Sequence, residues 1–190
     1  MRASWDLDAI GAAFAEAAVD PSRWDAAMEL AADVTGGFGA LLVPIQGRLP
    51  HVPQSRSLDA SFETYVKDGW IHRDVRYQCV PTMLRRGVAT EFDFTTTDEI
   101  ARHPYFQEFL APHGLRSGAC VLIASGDDQW SLSIQRSIAQ GPISPRETGR
   151  LSGLSKKLAS AAAPARAFGF ARAEAALEAV PAQGVKASSK

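Results

Sequence analysis

Two stretches separated by a short turn decide the fold: Ser117-Gly-Ala-Cys-Val-Leu-Ile-Ala-Ser125 and Gln129-Trp-Ser-Leu-Ser-Ile-Gln-Arg-Ser137. In the second stretch, Trp130, Leu132 and Ile134 alternate with serine and glutamine, which is the two-residue period of a strand with one buried face and one wet face. Gly126-Asp-Asp128 supplies turn residues between the two stretches. The sequence therefore predicts an antiparallel β-hairpin.

Helix and strand signals precede this hairpin. Asp20-Pro21 provides an N-cap and a first-turn proline for a helix that Gly36-Gly37 ends. Residues 38–44 are typical of a buried strand, whereas 51–57, which contain a proline, are expected to form at most a loosely paired edge. A further helix is expected to pack on the sheet through one apolar face, which consists of Leu58, Phe62, Tyr65, Val66 and Trp70.

The last helix is predicted from the capping box Ser144-Pro-Arg-Glu147, and it should run at least to Ala163 and kink at Pro164. Its apolar residues recur at spacings of three and four. We expect Leu151, Leu154 and Leu158 to form much of a symmetric dimer interface. The alternative is that the same leucines pack on the sheet of their own domain.

The order of these elements favours an α+β fold, with an antiparallel sheet flanked by helices. Neither an internal repeat nor a regular β-α alternation is present, which disfavours a parallel sheet. A chain of 190 residues fits one domain that buries about 70% of its unfolded surface. We expect that domain to span 1–180, with terminal helices over 145–180 and a disordered tail over 181–190.

Composition excludes several functions. With 20 basic and 21 acidic residues the net charge is −1, which gives no general attraction to nucleic acid. No leader pattern and no apolar run near the roughly 18 residues of a membrane span is present, so we expect a cytoplasmic protein. Cys79 and Cys120 lie far apart in sequence and are expected to be unpaired thiols without mutual contact.

No motif indicates catalysis. His72-Arg73-Asp74 matches the start of a protein kinase catalytic loop, but Cys79 occupies the position of the magnesium-binding asparagine and no glycine-rich loop precedes it. The four histidines form no H-E-x-x-H pair, and no G-x-S-x-G occurs. We therefore expect neither an enzyme nor a resident metal or cofactor.

The most concentrated group of aromatic and polar residues follows the predicted sheet-packed helix. Apolar walls with a few polar groups are typical of small-molecule sites. We therefore expect a pocket whose ligand contacts are Tyr65, Trp70, His72, Asp74, Tyr77 and, from the hairpin, Trp130. The alternative is that Tyr65 and Trp70 are core residues and Asp74 is a cap.

Four segments together resemble the N-terminal sensory region of LuxR-type transcriptional regulators, which join a GAF- or PAS-like domain to a C-terminal helix-turn-helix. The segments are Asp20 to Met28, Gly36 to Leu42, Phe106 to Leu115 and Trp130 to Arg136. The resemblance covers about residues 6–178. It implies an antiparallel sheet flanked by helices, a small-molecule pocket and dimerisation.

In autoinducer-binding members of that family, an aromatic-rich helix and a following aspartate hold the ligand, which by position implies Tyr65, Trp70 and Asp74 here. Val75 stands where those members commonly have proline, so the ligand class stays open. No helix-turn-helix follows the last helix, so we expect DNA contact only through a module outside this sequence.

Two hypotheses remain: a signal-sensing domain, and a ligand-free dimerisation or partner-docking module. A closed cavity lined by Tyr65, Trp70 or Trp130 would favour the first, and a solidly packed interior would favour the second.

Overall fold

Four strands form one antiparallel sheet in the computed structural model, which describes residues 5–45, 52–125 and 128–159. The strands are β1 (Gly39–Pro44), β2 (Val88–Thr90), β3 (Leu115–Ser125) and β4 (Asp128–Ser137), in the order β1-β4-β3-β2. The helices are α1 (Leu7–Val19), α2 (Trp24–Thr35), α3 (Asp59–Lys67), α4 (Val80–Arg86), α5 (Thr97–Ile100) and α6 (145–159). A π-helix, Tyr105–Leu110, precedes β3. The predicted α+β class is confirmed.

The predicted hairpin is the centre of the sheet. β3 and β4 pair in antiparallel register from Ser125 opposite Asp128 to Leu115 opposite Ser137, with one irregularity between Leu115 and Ser117. Segment 52–55 makes a single bridge, Gln54 to Leu41, which agrees with the expected loose edge. The turn residues 126–127, the predicted kink at Pro164 and the tail 181–190 lie outside the described residues.

One face of the sheet carries α1, α2 and α6. Leu132 and Ile134 of β4, and Val121 and Ile123 of β3, form a core there with the apolar sides of these helices, and all are at most 1% exposed. Each such buried side chain contributes about 1.5–3 kcal/mol of transfer free energy. This packing explains why every second residue in the middle of β3 and β4, on the face toward these helices, is apolar.

The α6 leucines correct a prediction. Leu151, Leu154 and Leu158 belong to this same core and are each 0% exposed within the single chain. A side chain that is already fully covered by its own domain has no surface left for a partner, so the predicted dimer interface through these residues is wrong. Their repeat instead packs α6 on the sheet, which is the alternative that the pattern also allowed.

The opposite face of the sheet corrects a second prediction. Ser131, Ser133 and Gln135 were expected to be wet, yet they are only 4–6% exposed, because α3, α4 and the π-helix cover that face. Polar side chains are therefore enclosed between two layers. This arrangement positions the candidate site.

Local sequence sets the ends of the helices as expected. Gly36 adopts a left-handed conformation with φ 61° and ends α2. The Ser144 amide donates to the Glu147 carboxylate at 2.8 Å, which confirms the capping box at the start of α6. Within the part of the chain that the structure describes, no helix is long and apolar enough to cross a membrane.

Candidate functional site

A cavity of about 210 Å³ lies between the polar face of the sheet and the helices that cover it. Its walls are mostly apolar, and they include Leu41, Val43, Phe62, Phe109 and Leu110. An apolar protein cavity of about 150 Å³ is large enough to hold benzene. The volume here therefore fits a molecule of about one ring with small substituents.

A charged pair lies in the wall of this cavity. Arg76 Nη2 donates to Asp74 Oδ2 at 2.7 Å, and Arg76 Nε donates to Asp74 Oδ1 at 3.0 Å. The Tyr65 hydroxyl donates to Asp74 Oδ2 at 2.9 Å. The Asp74 side chain is 5% exposed and that of Arg76 24%. Two-point pairing of this kind fixes the guanidinium plane as well as its position.

The pair forms because of local chain geometry. Asp74 caps the short 3-10 helix Val75–Cys79 by accepting from the Arg76 amide at 2.8 Å, and this turn brings the Arg76 side chain back onto the same carboxylate. Burial alone would raise the pKa of Asp74, but the Arg76 charge and its hydrogen bonds outweigh burial and lower it. Burial raises the pKa of Tyr65, and the neighbouring Asp74 charge raises it further. Asp74 is therefore ionised and Tyr65 is a hydroxyl donor at neutral pH.

The sheet supplies neutral polar groups to the cavity. Gln135 Nε2 donates to Ser133 Oγ at 2.7 Å. The Ser131 hydroxyl lies beside the Cys120 sulfur but has no oxygen or nitrogen partner within the described ranges, although the residue is only 6% exposed. A buried hydroxyl without such a partner is uncommon in folded proteins. Ser131 therefore has hydrogen-bonding capacity to offer a bound molecule.

Two thiols also line the cavity, and they correct a third prediction. Cys79 and Cys120 are free thiols that pack in one apolar cluster, although the sequence suggested that they make no contact. The fold brings them together because α4, which begins directly after Cys79, packs against β3. The neighbouring Cys79 thiol lowers the pKa of Cys120.

Aromatic packing holds the cavity wall in place from behind. Trp70 is 6% exposed and stacks on Phe109, with ring centroids 5.6 Å apart and an interplanar angle of 21°. The Arg73 guanidinium lies 3.9 Å from the centroid of the Trp70 ring. Tyr105, fully buried, meets Phe109 edge to face. Trp70 therefore supports the wall and does not form it.

The structure brings together only part of the predicted site. Tyr65, Asp74 and Tyr77 line the cavity. Trp70 lies behind Phe109, His72 is exposed away from the cavity, and Trp130 packs with the core on the opposite face of the sheet. Sequence reasoning missed Arg76 and the hairpin residues Ser131, Ser133 and Gln135. For Arg76, the available signal was its position two residues after Asp74 at a capped turn. For the hairpin residues, the signal was the row of polar side chains at alternate positions of β4.

A metal site is not indicated, since no group of three or more His, Cys, Asp or Glu side chains converges within residues 5–45, 52–125 and 128–159. The polar groups of the cavity are hydrogen-bond donors and acceptors with one neutralised charge pair. The arrangement is suited to binding a small, largely apolar molecule that carries a polar group.

Comparison with known proteins gives the class of fold. No family model and no curated protein matches the chain. A similar solved structure is that of the VqsR ligand-binding domain from Pseudomonas aeruginosa, with a TM-score of 0.58, 14% identity and coverage of 82% of this chain and 93% of that one. Another is CepR2 from Burkholderia cenocepacia, an N-acylhomoserine lactone dependent LuxR family transcription factor, with a TM-score of 0.51, 21% identity and coverage of 82% and 90%.

These likenesses show that the chain has the fold of the ligand-binding domains of LuxR-family regulators. The four strands and their flanking helices belong to that shared fold, as the resemblance in the sequence implied.

Proposed function

We propose that this chain is the signal-sensing domain of a LuxR-type transcriptional regulator and that its signal is a small molecule bound in the 210 Å³ cavity. The observation that carries the proposal is an apolar cavity, placed on the polar face of the sheet, that contains the Tyr65-Asp74-Arg76 network. The likeness in fold to ligand-binding domains of regulators supports it. The signal then acts on DNA through a helix-turn-helix module.

The cavity also supports the first of the two hypotheses over the second. A ligand-free docking module needs a solidly packed interior, because an unfilled cavity lowers the free energy of unfolding by roughly 24 cal/mol per Å³. This chain instead keeps a cavity lined by Tyr65 and by the Ser131 hydroxyl, which has no oxygen or nitrogen partner among the described residues. Such a cavity favours a ligand-binding domain over a docking module.

Helix α6 offers a route from the cavity to an output module. Ser155 Oγ donates to the Leu122 carbonyl of β3 at 2.6 Å, and Ser152 Oγ donates to the Arg86 carbonyl at the end of α4 at 2.8 Å. The cavity wall includes Met83 of α4 and Cys120 of β3. A ligand that shifts α4 or β3 therefore acts directly on hydrogen bonds that hold α6.

The proposal extends to a homodimer in the cytoplasm, with a sensory unit over 1–180 that is GAF- or PAS-like. The dimer surface excludes Leu151, Leu154 and Leu158, since these are buried within one chain. Sedimentation at several concentrations measures the oligomeric state, and a monomer throughout would remove the dimer from the proposal.

Native mass spectrometry of the purified full chain tests ligand binding. We expect a retained small molecule, or one acquired from an organic extract of the source cells. The Ser131→Leu variant should lose it, because the added side chain enters the cavity. Ala15→Leu, on the exposed side of α1, adds the same side chain elsewhere and should keep it. Retention by both variants, or no bound molecule under any condition, contradicts the proposal.

A further inference from the structure

We infer that the ligand of this cavity presents an oxygen acceptor, a carbonyl or a carboxylate, to the Arg76 guanidinium, and does not donate a hydrogen bond to Asp74. The inference rests on the proposed function, because it assigns the polar group that the cavity recognises.

Asp74 has little capacity left for a ligand. A carboxylate offers about four lone-pair sites. Oδ1 accepts from the Arg76 amide at 2.8 Å and from Arg76 Nε at 3.0 Å. Oδ2 accepts from the Tyr65 hydroxyl at 2.9 Å, from Arg76 Nη2 at 2.7 Å and from Arg76 Nε at 3.1 Å. All these partners belong to the chain itself. A ligand N–H could reach Asp74 only by displacing one of them, which would leave a buried donor unpaired.

Arg76 has the opposite property. Its Nε and Nη2 atoms bond to Asp74, but Nη1 has no acceptor in the described part of the chain. The side chain lines the cavity and remains 24% exposed. The Tyr105 ring covers the guanidinium from one side, with the Arg76 Cζ atom 5.1 Å from the ring centroid. The guanidinium is thus held in place by the protein while part of its donor edge stays free.

Charge and size limit the ligand further. The Asp74 and Arg76 charges cancel, so a neutral carbonyl compound leaves the cavity without net charge. A carboxylate brings one net negative charge into the apolar cavity, which is costly. Ser131 adds a second hydrogen-bonding group to the cavity lining. The cavity volume fits a body of about one ring. A one-ring ketone, ester or lactone carbonyl and a one-ring carboxylate share the required acceptor.

Four probes of similar size test the inference by calorimetric titration of the full chain. Acetophenone carries a carbonyl, benzoate carries a carboxylate, N-methylaniline carries a donor N–H, and isopropylbenzene carries no polar group. Because a hydrogen bond to a charged group contributes about 1.5–3 kcal/mol, the better of the two acceptor probes should bind roughly tenfold or more tightly than isopropylbenzene. If acetophenone binds more tightly than benzoate, the natural ligand is neutral. If benzoate binds more tightly, the natural ligand is an acid.

A variant pair assigns the effect to Arg76. Asp74→Asn combined with Arg76→Met removes both charges together, which avoids leaving one buried charge unpaired. In this double variant isopropylbenzene should still bind, and the acceptor probe should bind no more tightly than isopropylbenzene does. Arg73→Met is the matched control, because Arg73 lies on Trp70 outside the cavity and its loss should leave the ratio unchanged.

The outcomes separate the two proposals. If isopropylbenzene or N-methylaniline binds the wild-type chain as tightly as both acceptor probes, the cavity is a ligand site but the Arg76 inference is wrong. If the double variant folds and keeps the acceptor preference, the inference is also wrong. If the double variant does not fold, the wild-type probe series decides alone. If no probe binds, the inference is wrong, and the proposed function is then decided by native mass spectrometry alone.

Discussion

At the scale of single residues, Trp70 shows how a site residue and a supporting residue differ. Trp70 is 6% exposed, and its ring contacts both Phe109 and the Arg73 guanidinium. The side chain that meets the cavity is Phe109. The effect of Trp70 on ligand binding is therefore indirect, through the position of that wall.

Truncation of Trp70 should consequently unfold the domain more than it changes recognition. We expect Trp70→Ala to lower the free energy of unfolding by about 3–5 kcal/mol, because a large buried ring leaves a cavity behind. Urea denaturation followed by circular dichroism measures this. Tyr77→Ala is the matched control, since Tyr77 is 49% exposed and should lose less than about 1 kcal/mol. A fully stable Trp70→Ala variant would show that the ring is not part of the core.

Cys120 should be the more reactive of the two thiols. The neighbouring Cys79 thiol lowers the pKa of Cys120, against the opposing effect of burial, and the Arg76 charge lowers it as well. The alkylation rate of Cys120 by iodoacetamide should therefore rise with pH and level off at a lower pH than is usual for a cysteine. Peptide mass spectrometry of Cys79→Ala and wild-type chains provides the measurement. In Cys79→Ala the midpoint should move upward, and an unchanged midpoint would contradict the assigned cause.

At the scale of secondary-structure elements, α6 is both a core helix and the proposed output. Three leucines fix it to the sheet, and two serine hydroxyls bond it to the carbonyls of Leu122 and Arg86. Its N-terminus is tied to β4 by the Arg136 to Glu147 ion pair, with a distance of 2.9 Å. The element is thus held at several points along its described length.

Charges placed on the buried side of α6 should unfold the chain. We expect the combined change of Leu154→Glu and Leu158→Glu to abolish cooperative folding, because two ionised groups would lie in an apolar core. Lys156→Glu on the exposed side is the control and should change the free energy of unfolding by no more than about 0.5 kcal/mol. Thermal denaturation distinguishes them. A folded, monomeric double variant would instead restore the dimer interface.

The cap of α6 should make stability depend on acid. Burial alone would raise the pKa of Glu147, but hydrogen bonds from Ser144 and the Arg136 ion pair lower it from 4.5 to about 2. A depressed pKa stabilises the fold above the unfolded-state value and loses that contribution as pH falls from about 4.5 to about 2. The stability difference between wild type and Glu147→Gln should therefore shrink over this window, as measured by urea denaturation at several pH values. A constant difference would rule out this titration.

At the scale of the whole molecule, the cavity and α6 are linked through α4 and β3. We expect the tighter acceptor probe to slow amide hydrogen exchange in α6 as well as around the cavity, because binding stabilises the elements that hold this helix. Hydrogen exchange with mass spectrometry reads both regions at once. Ser155→Ala removes the 2.6 Å bond to Leu122 and should reduce the α6 effect while leaving the cavity effect. Protection confined to α3 and α4 would break the proposed route.

The sequence by itself determined features whose cause is local. The Ser144 to Glu147 capping box and the Gly36 end of α2 follow from residues within one turn, and the two-residue period of 129–137 predicted a strand. The α+β class follows from the order of such elements. Tyr65 and Asp74 were predicted as site residues because one helix and the turn that follows it carry both.

Only the tertiary structure decided which faces meet. The alternation of β4 shows two faces but does not show that helices cover both of them, so Ser131 and Gln135 line a cavity and not the solvent. The spacing of the α6 leucines fits a partner helix and the chain's own sheet equally well, and the packing selected the sheet. The same arrangement of layers places Trp130 in the core opposite the cavity. It also brings Cys79 next to Cys120. The physical reason is that a period in the sequence defines a face, whereas burial depends on which distant elements cover that face.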